Sequence, residues 1–157
     1  GDFVSRGLPQ GFRTYWDGWC SKQLLPRLNM AKWPEGGLRL RLVSGGKVAA
    51  GVVVPSQDSA GRRFPLAAFA IADALPDPVA LNPWSDRIAE TLTDATRNNT
   101  SPDQLWDTLE VIALSDDTDR TVTSHEMQIW DRNRGAETCD PDDPQTLLNR
   151  LTGISCC

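Results

Sequence analysis

No apolar run in this 157-residue chain approaches the roughly 20 residues that a membrane-crossing helix needs, and no stretch has the form of a secretory leader. Positive charge is also scarce: 16 Lys and Arg stand against 21 Asp and Glu, a net charge of −5. A nucleic-acid groove or an anionic membrane surface calls for clustered positive charge, so neither is an expected partner. Histidine occurs once, at His125, and the four cysteines lie at Cys20, Cys139, Cys156 and Cys157. None of them forms a Cys-x-x-Cys pair and His125 sits in a different segment, so the spacing excludes a zinc site and no metal or cofactor is expected. Cys20 reads as a small core hydrophobe on a helix, and Cys156 and Cys157 as exposed, oxidisable thiols. This cysteine pattern fits a reducing compartment.

Catalytic signatures are missing as well. There is no Gly-x-Ser-x-Gly elbow, no Walker sequence, no Gly-x-Gly-x-x-Gly and no His-Glu-x-x-His. Ser124 and Glu126 flank His125, but neighbours in sequence do not have the geometry of a triad, and His125 reads as a surface or strand-edge residue. The acidic runs Asp116-Asp117 with Asp119, and Asp140 to Asp143, lack the glycine and distal glutamate of a calcium loop. They read as solvated surface. The chain opens at Gly1 rather than Met, which points to a processed or trimmed start.

What is present suits a globular domain: 39% apolar and 24% charged residues over a length able to bury a core. The whole span 1–157 reads as one domain. Leu8, Phe12, Trp16 and Trp19, followed by Leu24, Leu25 and Leu28, make one apolar helical stripe that Pro26 ends or kinks. Leu38-Arg-Leu-Arg-Leu-Val43 alternates strictly and predicts a half-buried strand. Ser44 to Lys47 turns the chain into Val48–Val54, and Pro65–Ala72 supplies a third strand, both nearly all apolar and so expected to be covered on both faces. These three predict an antiparallel meander at the sheet's centre. Asn82-Pro83 predicts a helix start ahead of Trp84, Ile88, Leu92 and Ala95, and Ser101 to Gln104 has the form of a capping box. Met127–Trp130 predicts a fourth strand, and Asp143-Pro144 the cap of a last helix with Leu147, Leu148 and Leu151. The order of elements predicts an α/β fold: a three-layer α/β/α sandwich around a largely antiparallel sheet.

The densest polar stretch lies between Pro55, where the strand is expected to stop, and Pro65. Ser56, Gln57, Asp58, Ser59, Arg62 and Arg63 crowd into one hairpin loop, with Gly61 to allow a tight turn. Arg62 and Arg63 beside Ser56 and Ser59 could cradle a phosphate or carboxylate. The alternative is structural, and it is favoured: Asp58 pairs with Arg62 or Arg63 and caps the turn amides itself. Trp16, Trp19, Trp84 and Trp106 sit on helix faces and read mainly as core, with Trp16, Trp84 and Trp106 as candidate interface anchors.

Two segments carry a family resemblance. Gly1-Asp2-Phe3-Val4, Leu8-Pro9, Phe12 and Trp16-Asp17-x-Trp19 form the first, and Gly51-x-x-x-Pro55-Ser56-x-Asp58-x-x-Gly61-Arg62-x-Phe64-Pro65 the second. In this order they resemble the TagF (ImpM) proteins of bacterial type VI secretion. The resemblance implies a three-layer α/β/α fold and a cytoplasmic, post-translational negative regulator that engages a forkhead-associated scaffold protein. Some members are fused to a phosphatase domain. Members usually carry a short strand ahead of Gly-Asp-Phe, which this sequence lacks, and that puts one edge of the sheet in question.

Two functional expectations result. The first is a non-enzymatic, protein-binding regulatory module with an exposed apolar or aromatic patch. The second is a hydrolase or small anionic-ligand domain built on the 56–63 loop, with Asp2, Asp58 and Arg62 converging.

Overall fold

The structure is a computed structural model that describes residues 8–28, 32–44, 46–58, 60–112, 114 and 127–153. Its centre is a five-stranded antiparallel sheet in the order β3-β2-β1-β4-β5. The strands are β1 (Leu38–Ser44), β2 (Lys47–Gln57), β3 (Arg63–Ala72), β4 (Met127–Asp131) and β5 (Arg134–Cys139). Helices α1 (Gln10–Trp19) and α4 (Gln145–Leu151) pack on one face, and α2 (Pro78–Asn98) and α3 (Pro102–Glu110) on the other. A single π-helical turn, Cys20–Leu24, and a 3-10 turn, Leu25–Arg27, extend α1 until the chain passes Pro26.

Period-two alternation divides the strands between two cores. On the α1/α4 face, Leu38, Leu40 and Leu42 of β1, Ala49 and Val53 of β2, and Met127 and Ile129 of β4 meet Phe12, Trp16, Trp19 and Leu148. On the α2/α3 face, Val48, Ala50, Val52 and Val54 of β2 meet Leu81, Trp84, Ile88 and Leu92 of α2. Strand β2 is therefore apolar on both sides because helices cover both sides.

Several sequence expectations need correction. The meander is antiparallel, but it does not occupy the middle of the sheet. Among the described residues β1 is the central strand and β3 an edge, and the alternation of β1 hides two buried arginines rather than a solvated face. Strand β2 does not stop at Pro55; it runs to Gln57, with Pro55 directly opposite Pro65. Two residues without N–H groups can face each other only at a non-hydrogen-bonded position of an antiparallel ladder, where the missing donors would point away from the partner. Pairing of β1 with β2 begins at Leu38 opposite Val53, so Pro55 lies beyond the reach of β1 and breaks no bond there.

Helix α2 begins at Pro78, capped by Asp77 through the Ala80 amide at 2.8 Å, and not at Asn82-Pro83. Both Asx-Pro pairs have the form of a helix start; the first is used, and Asn82 is left to make a tertiary contact. Ser101 and Gln104 complete the capping box of α3. The N-cap of α4 is Pro144, so Asp143 does not cap it. Strand β5 was not expected: Arg-Gly-Ala-Glu-Thr-Cys is mostly exposed and shows no apolar alternation.

Candidate functional site

The loop between β2 and β3 is built around Asp58. Its amide donates to the Arg62 carbonyl at 2.9 Å, and its own carbonyl accepts from the Gly61 amide at 2.9 Å. Gly61 has φ +81°, a left-handed conformation that glycine adopts without strain. One carboxylate oxygen, Oδ1, accepts from the amides of Ala60 and Arg62, each at 2.9 Å. The other, Oδ2, accepts from Arg62 Nε at 2.7 Å. The Arg62 amide, above all, holds the Asp58 carboxyl below the usual carboxylate range, against a smaller opposing effect of desolvation and with help from the Arg62 side chain and the Ala60 amide. Both oxygens are thus engaged within the loop.

The other polar residues of the loop point elsewhere. Ser56 is buried on the α2 face, its hydroxyl 3.2 Å from that of Thr96. Arg63 reaches to the opposite face and donates from Nη1 to the Leu28 carbonyl at 3.0 Å. Of these four sequence neighbours, Asp58 and Arg62 pair with each other, while Ser56 and Arg63 leave toward opposite faces of the sheet. Asp2, the third residue of the enzymatic arrangement, lies outside the described residues, as do Ser59, His125 with Ser124 and Glu126, Asp116, Asp117, Asp119, Cys156 and Cys157.

The glycine that opens this motif has a packing role. Gly51 is paired with Phe69, whose ring lies where a Cβ on Gly51 would be. That ring meets Phe12 edge-on at 4.9 Å and Trp16 at 4.6 Å, while Trp16 stacks on Trp19 at 5.5 Å. The two family segments therefore touch: the helix that carries Phe12, Trp16 and Trp19 packs through Phe69 onto the strand that carries Gly51.

Burial in the two cores, one on each face of the sheet, corrects two of the candidate interface anchors. Trp16 and Trp84 are each only 6% exposed, because the apolar stripes of α1 and α2 face the sheet. Trp106, on α3, is the one of the three that is only partly buried. Cys20 is buried, and burial raises its thiol pKa with a further contribution from Asp17. Burial likewise pushes the Cys139 thiol up to about 11, with Asp140 and Asp143 adding to the shift. Neither is a thiolate nucleophile at neutral pH. Among the described residues no group of three or more His, Cys, Asp or Glu side chains could hold a metal ion, and no helix is long and apolar enough to cross a membrane.

A buried polar cluster lies where no local pattern marks one. Arg39, 0% exposed in the central strand, pairs through Nη2 with Asp86 of α2 at 2.5 Å and donates to the Gly36 carbonyl at 3.3 Å. Its Nη1 donates to Asn82 Oδ1 at 2.9 Å, the same oxygen that accepts from Trp130 Nε1 at 2.9 Å. Two residues on, Arg41 donates to the Leu75 carbonyl at 3.2 Å and to Gln128 at 3.3 Å. The contacts of Arg39 with Asn82 and Asp86 pin α2 to the middle of the described sheet. A strand of Leu and Arg in alternation looks the same whether its arginines face water or a helix, so no local signal marks them.

The family described as TagF N-terminal domain, type VI secretion system-associated, matches residues 1–112, which include both motifs. No curated protein gives a significant match to the chain. The matched span covers more than half of the sequence and carries β1 to β3 with α1 to α3. The chain belongs to the TagF N-terminal domain family and is a type VI secretion-associated protein.

Proposed function

We propose that this protein is a non-catalytic, cytoplasmic regulator that restrains type VI secretion after translation, by binding a forkhead-associated scaffold of the secretion machine. Membership of the TagF family supports the link to secretion. The observation that supports binding over catalysis is the state of Asp58: its two oxygens accept two loop amides and Arg62, and Ser56 and Arg63 leave toward opposite faces of the sheet. A general base or a phosphate clamp needs its groups directed at one shared point. Here the motif residues shape a turn.

The test is a capture experiment paired with a secretion assay in the bacterium that encodes the chain. Tagged protein is expected to retain the forkhead-associated scaffold from lysate, and a deletion strain is expected to release more secreted effector than its parent. Wild-type secretion in the deletion strain, with no secretion component retained, contradicts the reading.

A further inference from the structure

We draw no further inference here: the strongest candidate, the surface patch on α3 where Trp106 is only partly buried beside the exposed Asp107 and Glu110, carries none because nothing in the structure shows what covers it.

Discussion

The 56–63 loop and the central strand β1 are opposites. The loop concentrates serine, aspartate and arginine within a few residues and has the outward form of a functional site. Its key pairing is local, Asp58 to Arg62, four positions apart, and it closes on itself. Strand β1 has the form of an ordinary amphipathic strand, yet it holds Arg39, a fully buried guanidinium with three hydrogen-bonded partners. Arg39 finds its partners 43 and 47 positions away, at Asn82 and Asp86. Density of polar residues in a sequence thus says little about where polar groups are brought together. The distance along the chain to the partner decides what a reader of the sequence can see.

Substitutions can break this comparison at several points. The largest loss is expected within the family motif but outside its polar residues. Gly51→Val drives a branched side chain into the Phe69 ring, which Phe12 and Trp16 hold in place, and should cost about 3 kcal/mol in chemical denaturation. Phe69→Leu added to Gly51→Val should return part of that loss. A Gly51→Val protein as stable as the wild type would show that the aromatic cluster is free to move.

Next in size is the long-range pair. Asp86→Ala leaves the guanidinium of Arg39 buried with neutral acceptors only. The loss should be about 2 kcal/mol, below the value for a fully enclosed pair because the Asp86 side chain is 54% exposed. Arg39→Met in the same background removes the stranded charge and should recover most of the stability, as a double-mutant cycle would show. A further drop on adding Arg39→Met would mean that the arginine stabilises the core without its carboxylate.

The smallest effect belongs to the loop, and pH reveals it. The carboxyl of Asp58 titrates below its unfolded value of about 3.9, so its contribution is present above that pH and is lost as pH falls through the lower, folded value. Asp58→Asn should therefore lower stability modestly at neutral pH and converge with the wild type in acid. Parallel melting curves from neutral to strongly acidic pH check this; an offset that persists at the acid end contradicts the assignment.

The same contrast explains what could be read in advance. The stripe of Phe12, Trp16 and Trp19, the strands 48–54 and 65–72, and the capping box of Ser101 and Gln104 are patterns of short range, and the structure shows each of them. The Asp58–Arg62 pair belongs with them. The central place of β1 and the use of Asn82 as an acceptor for Arg39 and Trp130 depend on α2 crossing the sheet, which no local pattern encodes. Strand β5 escaped notice because it is an edge: pairing with β4 makes it a strand, and an exposed polar segment has no apolar phase to read. Trp16 and Trp84 were in view both as core and as interface anchors, and their burial decides for the core.

The central claim is that Asp58 and Arg62 of the 51–65 motif shape its turn by bonding to each other, and the proposed function rests on their making no contact with a partner. Its most direct test is the Asp58→Asn/Arg62→Gln double variant, expressed from the native locus, with the thermal midpoint of the purified protein and effector release by the strain measured side by side. The account predicts a lowered midpoint and unchanged release while the level of folded protein is maintained. An unchanged midpoint with release equal to that of the deletion strain would contradict it, and would place recognition in the loop itself.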